Sequence, residues 1–141
     1  MNQSVNKSEV GYELPAVVKD LTEDLIRNYS LRYPGVFLRT IHVDKETAAK
    51  WGFPSLVLQG SQTMNFGAEM LFKAYRERWI ENSTLTVKLI KPVFAGDRIV
   101  VRGRVDKADR QPSGQVRVGI NVWAQNGMGE KVMVGQAEIL V

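Results

Sequence analysis

The chain has 141 residues, 44% apolar and 24% charged, a balance that fits one folded domain and leaves no length for a second substrate domain. It holds no cysteine and one histidine, His42, which excludes disulfides, thiolate catalysis, zinc ribbons, iron–sulfur clusters and multi-histidine metal centres. The excess of 19 basic over 15 acidic residues suits an anionic small molecule and is too weak to indicate nucleic acid.

Residues 1–10 are polar and are expected to form a loose tail, with one domain over residues 11–141. The opening has no apolar leader segment, and no apolar run approaches the roughly 18 residues a span needs, so a soluble cytoplasmic protein with no membrane role is expected. Residues 10–19 read as an extended lead-in. Thr22 is a good N-cap, and Glu23 and Asp24 favour the dipole of a helix over 23–29, stopped by Pro34-Gly35. Asp44 caps a short helix over 45–51 that ends at Gly52. The longest helical pattern covers 61–80, with Ser61 as its cap. Its apolar stripe is Met64, Ala68, Leu71, Tyr75 and Trp79, widened by Phe72.

After Asn82-Ser83 the period changes to two. Strands are expected over 84–90, 97–107, 115–125 and 131–140, separated by Gly96-Asp97, Pro112-Ser113-Gly114 and Asn126-Gly127. A long apolar helix followed by such a meander must bury its stripe against one face of the sheet. The expected class is α+β: a single hot-dog domain, in which a curled antiparallel sheet wraps a long central helix. Its edge strands invite pairing, so a homodimer or higher oligomer is expected.

Several segments, in order, resemble the MaoC-like hydratase/dehydratase family, which includes R-specific enoyl-CoA hydratases. They are Val10-Gly11-Tyr12-Glu13-Leu14-Pro15 with Leu21-Thr22-Glu23-Asp24-Leu25-Ile26, then Ile41-His42-Val43-Asp44-Lys45-Glu46-Thr47-Ala48-Ala49. Gly52-Phe53, Val57-Leu58-Gln59-Gly60 and Lys91-Pro92-Val93-Phe94-Ala95-Gly96-Asp97 complete the set. The resemblance implies a hydro-lyase acting on a CoA or carrier-protein thioester, with His42 catalytic, Gly60 at the oxyanion position and no cofactor. It also places an aspartate five residues before the histidine, where this chain has Phe37, and a histidine where this chain has Gln59.

Hydrating an enoyl thioester takes a proton from the attacking water, gives one to the α-carbon and builds negative charge on the thioester oxygen. Histidine can manage both proton transfers near neutral pH. Asp44, two residues on, reads chiefly as a helix cap, and His42 has a structural alternative as a loop histidine. Gly60 and Ser61, at the start of the central helix, offer unpaired N–H groups to an oxyanion; the alternative is a glycine needed only for the turn. Gln59 either orients substrate or fills space. Arg39, Lys91 and Arg98 are possible phosphate contacts or plain solvated charge, and Phe37, Tyr33 and Trp51 are channel-lining or core aromatics.

Three functions compete. The first is the enoyl-CoA hydratase or 3-hydroxyacyl thioester dehydratase. The second, motivated by Phe37, is a non-catalytic acyl-thioester-binding or partner subunit. The third is a hot-dog thioesterase using Glu69 on the central helix, a residue that also reads as a surface charge.

Overall fold

The computed structural model describes residues 6–31 and 39–141. Its elements in chain order are β1 (Val17–Asp20), α1 (Glu23–Leu31), α2 (Lys45–Lys50), α3 (Gly60–Tyr75) and α4 (Glu77–Glu81). Then come β2 (Ser83–Leu89), β3 (Arg98–Arg110), β4 (Val116–Gln125) and β5 (Lys131–Leu140). The five strands form one antiparallel sheet in the order β1-β3-β4-β5-β2, so β1 and β2 are its edges.

Alternation decides which face is buried. On β3, Ile99, Val101 and Val105 are fully buried, while Arg98, Arg102 and Arg104 are exposed. Val118, Ile120, Val122 and Ala124 on β4, with Met133, Ala137 and Ile139 on β5, complete the inner face. The pairing Val105↔Ile120 shifts register before Lys107↔Gly119, leaving Asp106 as an extra residue that bends β3. The sheet thereby curls around α3. Gly103 admits it: a Cβ there would lie 2.8 Å from Met70 Cε on α3. The α+β hot-dog architecture is the one expected.

Two features of the central helix differ from expectation. The helix does not run unbroken over 61–80, because Arg76 takes φ 54°, a left-handed conformation, and separates α3 from α4. The buried stripe is also rotated. Leu71 and Tyr75 are buried as expected, but Met64 and Ala68 lie at its margin, Phe72 is 38% exposed, and Phe66, Met70 and Ala74 carry the core instead. The shift follows from packing on two sides, since α3 meets the sheet on one side while Gln62 reaches α1 on the other.

Candidate functional site

Short-range hydrogen bonds set the position of His42. The N–H groups of Val43 and Asp44 both donate to the Thr40 carbonyl, at 3.1 and 2.9 Å, closing a tight turn around it. Asp44 then caps α2, accepting from the Thr47 N–H at 3.3 Å and the Thr47 hydroxyl at 2.6 Å. The Thr47 hydroxyl is the main reason that the Asp44 carboxyl titrates below its ordinary range. Asp44 is the helix cap that its position suggested.

The His42 ring is half-buried, and its Nδ1 lies 2.7 Å from the Val57 carbonyl. A carbonyl only accepts, so Nδ1 carries the proton of the neutral ring, and Nε2 keeps its lone pair. The Val57 N–H donates to the Ile41 carbonyl at 3.0 Å, and the Leu58 N–H to the Val93 carbonyl at 2.8 Å. The histidine turn is therefore laced to the strap of residues 57–59 that enters α3.

At the start of α3, Gln59 is the N-cap residue, extended at φ −63°, ψ 138°, with no capping bond from its side chain. Its carbonyl accepts from the N–H groups of Gln62 and Thr63 at 3.0 and 3.2 Å. The N–H groups of Gly60 and Ser61 have no acceptor among the described residues. Two donors at the positive end of a 16-residue helix form a ready seat for an oxyanion. Glycine at residue 60 also leaves room for a neighbour: a Cβ there would lie 2.0 Å from Leu89 Cδ1 and displace that side chain. Beside it, Leu58, Gly60, Thr63, Leu89, Val93 and Val132 line much of a mainly aliphatic cavity of about 220 Å³.

Ser61 is not the cap expected of it; it lies inside the helix and belongs to a polar chain. Asn65 Nδ2 donates to the Tyr29 hydroxyl at 2.9 Å, Tyr29 to Ser61 Oγ at 3.1 Å, and Ser61 to Gln59 Oε1 at 3.3 Å. Gln59 Nε2 completes it, donating to buried Ser30 at 2.7 Å. Gln59 is thus held by α1 rather than free to turn. Tyr29, Ser30 and Asn65 were missed at the sequence level, because the bonds from α1 to α3 cross 29 to 36 residues. The local trace is the polar run Gln59, Ser61, Gln62, Thr63, Asn65 at the entry and first turns of the helix.

Of the other candidates, Lys91 lines the cavity beside Gly60. Trp51 is 73% exposed at the end of α2. Lys91 pairs with Glu130 and Arg98 with Asp20, so neither presents an uncommitted charge. Glu69 lies nine residues after Gly60, about 13 Å along the helix. Burial would raise its pKa, but Lys19 and Lys73, each 2.9 Å away, outweigh that and hold it below the ordinary range. A carboxylate engaged by two ammonium groups is a structural ion pair rather than a base waiting for water. Phe37 and Tyr33 lie outside the described residues.

A curled antiparallel sheet wrapped around a central helix defines a hot-dog domain. The chain belongs to the MaoC-like domain family, whose model matches residues 8–125. Among solved structures it is similar to the (R)-hydratase from A. caviae involved in PHA biosynthesis (15% identity, 96% of this chain and 98% of that one, TM-score 0.77). The unliganded R-hydratase PhaJ1 from Pseudomonas aeruginosa shares 19% identity over 94% of this chain and 81% of that one, with a TM-score of 0.75. The truncated HadBC (3R-hydroxyacyl-ACP dehydratase) complex from Mycobacterium tuberculosis shares 18% identity over 94% and 96%, with a TM-score of 0.71. No curated protein sequence matches the chain. No helix among the described residues is long and apolar enough to cross a membrane.

Proposed function

We propose that the chain is an acyl-thioester hydro-lyase, hydrating a 2-enoyl thioester of CoA or a carrier protein or, in reverse, dehydrating the 3-hydroxyacyl thioester. The observation that carries this is the His42–Val57 hydrogen bond, which leaves Nε2 proton-free on the strap that ends at the unpaired N–H groups of Gly60 and Ser61.

In the proposed reaction the thioester oxygen accepts from the Gly60 N–H, with Ser61 as second donor, and the acyl chain enters the cavity beside Leu89. Nε2 takes a proton from water as the water oxygen bonds to the β-carbon. The electron pair of the double bond moves through the α-carbon onto the thioester oxygen, where the helix donors stabilise it. The imidazolium then returns its proton to the α-carbon, the enolate collapses and neutral histidine is restored. Phe37 stands where the resemblance places an acid, so both proton transfers go to His42. Gln59, pinned by Ser30 and Ser61, fixes the entry of the strap into the helix.

The test is loss of enoyl absorbance from a crotonyl thioester. His42→Ala should lower kcat/KM by roughly 10²–10⁴ without changing the fold, and unchanged turnover would remove His42 from the reaction. Phe37 also supports a second reading, a non-catalytic subunit that pairs with a catalytic homologue; the similar HadBC dehydratase is itself a complex. Hydration by the purified chain alone would eliminate that reading. In either case the unpaired edges at β1 and β2 support assembly, a homodimer being the simplest.

A further inference from the structure

The histidine turn is held from a second side. Arg27, half-buried on α1, donates from Nε to the Val43 carbonyl at 3.1 Å, across 16 residues of chain. That is the one hydrogen bond the Val43 carbonyl accepts among the described residues. The same peptide unit offers its N–H, that of Asp44, to the Thr40 carbonyl at 2.9 Å. One peptide plane is therefore pinned at both ends, by α1 at its oxygen and by the turn around His42 at its nitrogen. A charged donor on the carbonyl polarises the plane and strengthens the bond at the other end. The Arg27 Nη1 and Nη2 lie 3.8 Å from Asp24 and 4.0 Å from Glu23, contacts within α1 that leave Nε to the carbonyl. Glu23 also pairs with Lys45 on α2. Exposed ion pairs of this kind contribute little, so the bond to Val43 is the contact that bears on the turn.

We infer that Arg27 is a positioning residue for His42: its Nε fixes the 43–44 peptide, and that peptide fixes the turn that aims the ring at the Val57 carbonyl. The consequence is chemical. Which imidazole nitrogen carries the proton is set by the hydrogen bond the ring makes. Histidine free in water favours the proton on Nε2, whereas the bond to Val57 requires it on Nδ1. A turn that slackens lengthens that 2.7 Å bond and lets the ring revert. Nε2 would then hold a proton where the proposed reaction needs a lone pair. Arg27 acts through the backbone rather than on the reacting atoms. The inference rests on the hydro-lyase reading for the reaction that His42 serves, and on the Arg27–Val43 bond for the positioning itself.

His42 is the single histidine of the chain, so NMR of the imidazole nitrogens reads its tautomer without overlap. The full chain is compared with three variants. Arg27→Met keeps an apolar stem and deletes the donor. Arg27→Gln sets an amide nitrogen as many bonds from the backbone as Nε, without the charge. Lys45→Ala removes the α1–α2 ion pair and leaves the Val43 carbonyl alone. At about pH 8, above the ordinary titration range of histidine, the parent, Arg27→Gln and Lys45→Ala should hold the proton on Nδ1, and Arg27→Met should return toward Nε2. Crotonyl-thioester hydration by Arg27→Met should fall roughly ten- to a hundredfold in kcat with KM within about twofold, and Arg27→Gln should restore most of it. An unchanged ring in Arg27→Met would overturn the inference. So would a ring as slack in Arg27→Gln as in Arg27→Met, which would assign the effect to charge. A parent ring already divided between the two tautomers would overturn it without any variant. Should Arg27→Met fail to fold, Arg27→Ala, a strong helix former, takes its place with the same expectation. The two readings fail separately. A ring that slackens in Arg27→Met while the parent hydrates nothing sinks the hydro-lyase and leaves the positioning; hydration with ring and kcat unmoved in Arg27→Met does the reverse.

Discussion

Substituting Gly60→Ala asks why the residue is glycine. The new Cβ would fall 2.0 Å from Leu89 Cδ1 and 3.3 Å from its Cγ, so the leucine must leave its rotamer. Leu89 is 51% exposed, so its burial contributes about 1 kcal/mol, half that of a fully buried leucine. Displacing it forfeits part of that and adds about 0.5–1.5 kcal/mol of rotamer strain. Alanine's helix preference returns roughly 0.5 kcal/mol near a helix end. The net cost of Gly60→Ala is about 1 kcal/mol, and Leu89→Ala costs about the same alone. In the Leu89→Ala background the clash is gone, and Gly60→Ala should be neutral or stabilising by about 0.5 kcal/mol. Urea unfolding of the four proteins should therefore give a favourable coupling near 1.5 kcal/mol, with Gly60→Ala alone melting about 3–5 °C lower. Effects that simply add, within about 0.3–0.5 kcal/mol, would refute the packing argument.

Gly135 on β5 is a contrasting case. A Cβ there meets the Thr86 backbone oxygen at 2.4 Å and the Val87 Cα at 3.1 Å, so β2 itself must move. Gly135→Ala should cost more than 2 kcal/mol, with no rescue by Val87→Ala, when followed by thermal melting. Acid should destabilise the fold in a defined direction. Asp20, Asp44, Glu69 and Glu130 are all held below their ordinary pKa values in the folded chain. The unfolded chain therefore binds more protons as the pH falls toward about 4, and the stabilisation present above that pH is lost below it. Melting temperature should be flat from about pH 5 to 8 and fall below about pH 4, less steeply in Glu69→Gln.

Local signals make much of the fold legible in the sequence. Thr22 and Asp44 cap their helices as read, with the Leu25 N–H donating to Thr22 Oγ1 at 3.0 Å, and β5 spans the expected residues. These features depend on neighbours in sequence. The break at Arg76 was illegible because Ala74 through Glu81 are ordinary helix formers; only the packing of α4 against β2 and β5 demands it. The same holds at the site. His42 and Gly60 stand out by motif, whereas the Gln62–Leu25 bond and the Tyr29–Ser61–Gln59 chain depend on α1 crossing α3, which no spacing announces. Gln59-Gly60 lacks the Ser or Asp of a capping signal, so Ser61 was given the cap instead.

The role of the α3 donors can be isolated at one atom. Proline is tolerated at a first helical position, and Gln59 at φ −63°, ψ 138° already has the backbone that a following proline requires. With Leu89→Ala making room, Gly60→Ala keeps the N–H at residue 60 and Gly60→Pro deletes it. Crotonyl-thioester hydration by the two double variants, each confirmed folded by its melting curve, is the most direct measurement. Near-parental turnover in the alanine variant and a fall of roughly 10²–10³ in kcat in the proline variant is the expected result. Equal turnover in both would show that the helix terminus takes no part in stabilising the oxyanion.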